Sequence, residues 1–222
     1  MNYFNHEIER KLEEISKEIN ECRSTKGHGR CQCGGGHAVR KPTHQISHSN
    51  AILVVGQAPA QKGWWVTGVA FYQRKNDATL ELLQSGKNLN ECLTLLCIRL
   101  EKSYYVDAVK CKPDSTNQLR VAQRYCLHFL KKQTFTIKPL LILALGKIAT
   151  KSCLQIKGER VLSKFKLKDV VGNAKEWQAP WGQCWILPLY FPGGNNNGRW
   201  PENKEYISKF LAGHPKWQAL MS

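Results

Sequence analysis

Phe4, Ile8, Leu12, Ile15 and Ile19 recur at steps of three and four residues, with Glu and Lys filling the positions between them. That period lays one apolar stripe along a helix, so the spacing predicts an amphipathic first helix ending near Cys22. Gly27, Gly29 and Gly34 to Gly36 then open a long loop. The pattern changes at residues 51 to 55 (AILVV), which is apolar at every position and closed by Gly56. Three further runs are similar, the first broken only by Asp107: Tyr104 to Val109, Leu140 to Leu145 and Trp185 to Phe191. Short runs with no polar face predict buried strands. Between them, Leu80 to Leu83, Cys92 to Leu100, Val121 to Lys132 and Glu202 to Leu211 read as helical.

Strands alternating with helices predict a single α/β domain, with a central four-stranded, mostly parallel sheet and helices on both faces. At 222 residues the chain suits one core rather than two. Residues 1–50, the first helix and the Cys/Gly-rich basic loop, are expected to be part of the domain formed by residues 51–222. In such folds the loops at the carboxyl ends of the strands gather into one cleft. Here those loops read GQAPA, KCKPD, GKIAT and FPGGNNNGRW.

Charge sharpens this picture. The chain carries 33 Lys and Arg against 17 Asp and Glu, a net charge of +16. An excess of this size favours a polyanion, because phosphate contacts release counterions. DNA, single- or double-stranded, is the expected partner. No apolar run reaches the length of a spanning helix, so no membrane partner is expected. The acidic, amphipathic start is neither a signal peptide nor an Arg-rich transit peptide. The expectation is an intracellular monomer, cytoplasmic or nucleoid-associated. In a reducing compartment, nine cysteines suggest metal ligands and core residues before disulfides.

Four segments in order resemble families 4 and 5 of the uracil-DNA glycosylases. Val54 to Ala60 (VVGQAPA) is similar to a strand followed by Gly-x-Ala-Pro, with Thr67, Gly68 and Phe71 after it. Asp107 to Pro113 (DAVKCKP) is similar to Asn-Val-Val-Lys-Cys-Arg-Pro, and Leu143 to Ala149 (LALGKIA) to a strand-to-helix turn. Tyr190 to Arg199 (YFPGGNNNGR) looks like Tyr-His-Pro-Ser followed by Asn and Gly-Arg. The resemblance implies a DNA-repair glycosylase that flips a base and hydrolyses its N-glycosidic bond.

By that resemblance Gln57 and Asp107 stand at catalytic positions, and Gln57, Ala58, Phe71, Asp107 and Phe191 would contact the base. Asn195, Asn196, Asn197 and Arg199 would approach the DNA. For Phe71 a core role competes with stacking. For Asp107 a pairing with Lys110 or Lys112 competes with a role at the base. The resemblance also implies a [4Fe–4S] cluster, which needs four thiolates. Cys111 and Cys126 match its third and fourth ligands. Three cysteines, Cys22, Cys31 and Cys33, compete for the other two places, and Cys22 with either of the others is the expected set. A zinc site using His28 or His37 is the chemical alternative. Cys92, Cys97, Cys153 and Cys184 lie in apolar stretches and are expected in the core.

The sequence departs from the family at the reacting positions. Gln57 stands where family 4 has Glu, Arg74 where family 5 has Asp, Phe191 where the family has His, and Asp107 where it has Asn. An ionised Asp107 offers acceptors alone, which oppose uracil O4 and suit an exocyclic amine such as that of cytosine. A protein with this fold and cluster that binds nucleic acid without catalysis is the other reading. A zinc-containing binding module is a third.

Overall fold

A computed structural model describes residues 3–24, 52–59, 67, 69–76, 79–100, 103–111, 115–162, 164–193, 198–215 and 217. Its strands are β1 (Ile52–Gly56), β2 (Tyr72–Arg74), β3 (Leu80–Leu82), β4 (Tyr104–Asp107), β5 (Leu141–Leu145), β6 (Lys175–Ala179) and β7 (Gly182–Leu189). The helices are α1 (Tyr3–Ser24), α2 (Gln84–Leu95), α3 (Thr116–Ile137), α4 (Gly146–Lys157) and α5 (Trp200–Gly213).

The main sheet has the order β4-β1-β5-β7-β6. The first four strands are parallel, and β6 pairs antiparallel with β7 at the edge. Among the described residues the sheet thus holds five strands where the apolar runs predict four. The sequence of β6, KEWQA, buries Trp177 alone, so it carries no apolar run to betray it. Leu80 to Leu83 is a second correction. It forms β3, paired with β2 in a small hairpin, and not a helix. Four residues are too short a window to separate a period of 2 from one of 3.6, and the helix begins one residue later, at Gln84.

Alternate residues of the central strands feed two cores. Ile52, Val54, Leu141 and Leu143 pack with Leu89 and Leu93 of α2 and Ile207 and Phe210 of α5. Leu53, Val55, Ile142 and Ala144 pack on the other face, with residues of α1, α3 and α4. The stripe of α1 is buried there through Ile8, Leu12, Ile15 and Ile19. At roughly 2 kcal/mol for each buried aliphatic chain, this stripe outweighs any surface ion pair by several fold. The exposed Lys132–Glu18 bridge between α3 and α1 therefore orients the helix more than it holds it.

Position in the sheet locates the cleft. β1 connects outward to β4, whereas β5 connects the other way to β7, so the chain reverses direction between β1 and β5. Ligands of open α/β sheets bind at the strand carboxyl ends beside such a reversal. Gly146 makes the junction abrupt: its φ of +85° turns β5 directly into α4.

Candidate active site

The loops after β1 and β4 are laced together beyond the strands. The Ala108 N–H donates to the Gly56 carbonyl and the Val109 N–H to that of Gln57, both at 2.9 Å. This fixes the start of the GQAP turn against the start of the AVKC segment. The Gln57 side chain is exposed, Ala58 is half-buried and Pro59 is buried.

Asp107 ends β4 and is fully buried. The Tyr105 hydroxyl, two residues earlier on the same sheet face, donates to Asp107 Oδ1 at 2.8 Å. Oδ2 is buried with no hydrogen-bond partner among the described residues. Gly56, the register partner of Asp107, makes room for the pair. A Cβ there would lie 1.9 Å from the Tyr105 hydroxyl oxygen and 2.4 Å from Asp107 Oδ1. Lys110 is also buried, but its ammonium donates to the main-chain oxygen of Asp107 and to Gln133 Oε1 of α3. The hydrogen bond between Lys110 and Asp107 thus runs to the backbone oxygen, and the carboxylate feels Lys110 as a nearby charge. Lys112 lies outside the described residues.

Burial dominates the ionisation of these groups. It pushes Asp107 up to about 7, against the opposing pull of the Tyr105 hydrogen bond and the Lys110 charge. Burial likewise draws Lys110 down, to about 8. Tyr105 is raised well above the usual phenol, first by burial and then by Asp107. A buried carboxyl near neutrality can exist as a donor or as an acceptor, depending on pH.

Phe71 is buried and packs edge-on against Tyr105, with ring centroids 4.9 Å apart. It belongs to the core cluster and also adjoins the group that holds Asp107. Its φ of +67° is unusual for a bulky residue, at a cost on the order of 1 kcal/mol. The Thr67 hydroxyl braces the turn by accepting from the Val69 N–H at 3.0 Å, and the Leu83 N–H donates to the Phe71 carbonyl at 2.8 Å. Arg74, at the end of β2, is exposed.

Cys111 and Cys126, with fourteen residues between them in the chain, come together in one small buried cluster with Val109 and Ala122. Ala58 packs against it. The Lys110 N–H points at Cys126 Sγ, 3.4 Å away. The thiols, one from the β4 loop and one from α3, thus sit directly behind the GQAP turn. Among the described residues no three metal-ligating side chains converge. Cys31, Cys33, His28 and His37 lie outside those residues, as does the Cys22 side chain. Cys92, Cys153 and Cys184 are buried, and burial raises all three thiols. Cys97 differs from expectation: it is exposed, just past the end of α2, with φ +55°.

The loop after β7 is anchored from two sides. The Asn203 side chain of α5 accepts from the Tyr190 N–H and donates to the Tyr190 carbonyl, each at 2.9 Å. Asn88 of α2 donates to the Pro192 carbonyl at 2.9 Å. Phe191 between them is half-buried against the core. Arg199 caps the approach to α5, its guanidinium 5.5 Å above the Tyr190 ring and 3.4 Å from the Tyr190 hydroxyl. Asn195, Asn196 and Asn197 lie outside the described residues.

Sequence reasoning missed Tyr105, Gln133, Asn88 and Asn203. The first had a signal, since residues i and i+2 of a strand share a face. The others meet partners too distant in the chain to be read from spacing.

The profile of the Uracil DNA glycosylase superfamily matches residues 44–213. The chain belongs to that superfamily. The match spans all five strands of the main sheet and the anchored loop after β7. A type-4 uracil-DNA glycosylase of Pyrobaculum aerophilum is 28% identical over 153 residues, covering 68% of this chain and 75% of that protein. Membership agrees with the resemblance carried by the four segments, and it directs attention to the strand ends around Gly56 and Asp107.

Proposed function

We propose that the protein is a DNA glycosylase that hydrolyses the N-glycosidic bond of a deaminated or related base. In that reaction the bond between C1′ and the base nitrogen breaks, and its electron pair leaves with the base. Water oxygen bonds to C1′, and a proton from water ends on the departing base. The observation that carries this reading is Oδ2 of Asp107, buried beside Gly56 at the sheet's reversal point with no hydrogen-bond partner among the described residues. A buried polar atom with no protein partner is a place where a ligand's polar edge would be welcome.

The base enters by flipping, and the turn from Gln57 to Ala58 supplies backbone N–H groups to the oxygen on which negative charge develops. Phe71 contributes an apolar ring beside the base. Asp107 reads the base's hydrogen-bonding edge. Because Tyr105 occupies Oδ1, the proton of a neutral Asp107 resides on Oδ2, where it can donate to a carbonyl such as uracil O4. Once ionised, the same atom accepts from an exocyclic amine. Arg199, prepositioned by Tyr190, contacts the DNA backbone together with Asn195 to Asn197.

The paired thiols suit a resident metal group. Cys111 and Cys126 are buried together, and the Lys110 N–H directed at Cys126 Sγ is what a ligating thiolate would attract. Together with Cys22 and either Cys31 or Cys33 they would hold a [4Fe–4S] cluster, which supplies a structural tie between the N-terminal loop and the sheet. Zinc is the alternative. Anaerobically purified protein should be brown, with broad absorption near ~400 nm. Cys111→Ser and Cys126→Ser should each bleach it and lower the melting temperature. Colourless protein holding one equivalent of zinc would instead establish the zinc site.

Phe191 favours a second reading. A half-buried phenyl ring stands where the family's His would donate to the base, so a protein that binds DNA without cleaving it is the competing account. The two are separated by a panel of oligonucleotides carrying uracil, hypoxanthine, xanthine or mispaired cytosine. A glycosylase leaves alkali-labile sites at one or more of these bases; a binding protein retards all of them and leaves none.

A further inference from the structure

We infer that the outer face of α3 and α4 is a second DNA-backbone track, distinct from the base cleft and extending the contact along the flanking DNA. The observation is a long stretch with one sign of charge. Between Asp114 and Glu159 the sequence holds no acidic residue, and this stretch includes both helices entire. Arg120 and Arg124 occupy the first half of α3, and Lys147 and Lys151 the first half of α4. Arg120, Arg124 and Lys147 are exposed and Lys151 is half-buried.

The two helices are fixed to each other where these residues stand. The Gln123 amide of α3 donates to Ser152 Oγ at 3.0 Å and to Gln155 Oε1 at 3.2 Å, both on α4. Arg124 follows Gln123, and Lys151 precedes Ser152 and lies one turn before Gln155. Each basic pair is spaced i, i+4, about 6 Å along its helix axis, and packed helices lie about 8–10 Å apart. Four cations are therefore held in a small quadrilateral by a buried clamp, not spread on mobile loops.

Direction joins this face to the cleft. α4 springs directly from the carboxyl end of β5, and α3 follows the loop that leaves the carboxyl end of β4. The first turns of both helices thus open on the cleft side of the sheet. Beyond α4, Lys166 and Lys168 add two more exposed cations, with Asp169 the one acid of the 3-10 turn that packs against that helix. A general solvated surface would intersperse acids among the bases, as α1 does with Glu7, Glu9, Glu14 and Glu18. A polyanion's backbone is the partner such a face fits, and DNA is the one the cleft supplies under the glycosylase reading, on which this inference rests.

The test compares two fourfold variants of equal net charge. One carries Arg120→Gln, Arg124→Gln, Lys147→Gln and Lys151→Gln. The other carries Lys17→Gln, Arg99→Gln, Lys138→Gln and Lys209→Gln, exposed residues away from the outer face of α3 and α4. Binding to undamaged 30-mer duplex is measured against salt, with a 6-mer single strand for comparison. For the track variant, the slope of log affinity against log salt should flatten on the 30-mer by about 3–4, as expected for four lost phosphate contacts. The control should flatten by less than about 1, and affinity for the 6-mer should be the same in both. Equal flattening in the two variants would overturn the inference, since net charge alone would then be acting. Circular dichroism checks the fold, and Arg120→Lys with Arg124→Lys should retain the wild-type slope. Because the DNA is undamaged, a protein that cleaves no base would refute the glycosylase reading and leave this comparison decisive.

Discussion

Replacing Asp107 by Asn should raise single-turnover excision of uracil from single-stranded DNA ten- to hundredfold at pH 8. Burial raises the Asp107 carboxyl to about 7, so at pH 8 most of it is ionised. An ionised Oδ2 then faces uracil O4 as acceptor against acceptor. Such a buried mismatch costs about 1–3 kcal/mol, which is the stated range of rates. Below pH 7 the wild-type carboxyl is protonated and donates, so its activity should rise towards that of the variant and the difference should close. The Asn variant should show no such inflection near 7.

Stability follows the same ionisation. Because the folded value of Asp107 lies above its ordinary 3.8, the native state holds a proton that the unfolded chain has lost. The favourable contribution is full below about pH 4, is lost as pH rises to about 7, and changes little above it. The variant, neutral throughout, should therefore be more stable than wild type at pH 8 by roughly 2–4 kcal/mol, an advantage that vanishes towards pH 4. Denaturant titrations at both pH values measure this. A variant that is slower than wild type at pH 8 would mark Asp107 as a general base or an electrostatic catalyst instead of a reader of the base edge.

Gly56→Ala should lower excision more than a hundredfold and destabilise the fold by about 1–3 kcal/mol or more. The added methyl would fall within bonding distance of the Tyr105 hydroxyl and inside the Asp107 carboxylate contact. Neither can retreat easily, because both are buried in β4 and Gly56 is locked in register with Asp107. The nearest relief is to break the Tyr105–Asp107 hydrogen bond, which frees Oδ1 and misplaces Oδ2. Gly213→Ala is the matched control: a methyl there meets nothing within 4 Å, so kinetics and melting should be unchanged. Equal behaviour of the two variants in both assays would remove the close packing of Gly56 from the account.

Much of the fold is legible in the sequence because the four parallel strands are buried on both faces, and a run such as Ile52 to Val55 has no other use for four aliphatic residues. What escapes is what is half-exposed. β6 buries a single Trp, and the β2–β3 hairpin is too short for its period to register. α2 shows the same limit at its end, where Cys97 adopts a left-handed conformation and sits in solvent despite an apolar neighbourhood in sequence. Within the candidate site, Asp107 could be singled out by its segment, and Tyr105 could have been found by strand alternation. The Lys110–Gln133 and Asn203–Tyr190 contacts could not, since they depend on how α3 and α5 dock. Spacing alone likewise does not say that Cys111 and Cys126 meet; the resemblance suggested it, and helix docking brings them together.

Release of free base is the most direct test of the central proposal. Purified protein, with whatever metal group it retains, would be incubated at pH 6 with a single strand containing one uracil, and the supernatant analysed by mass spectrometry. The account predicts free uracil and an abasic strand in equal amounts, with faster release at pH 6 than at pH 8. Tight binding to the strand with no free uracil, and none of the other bases of the panel released at either pH, would contradict it and leave a DNA-binding member of the superfamily.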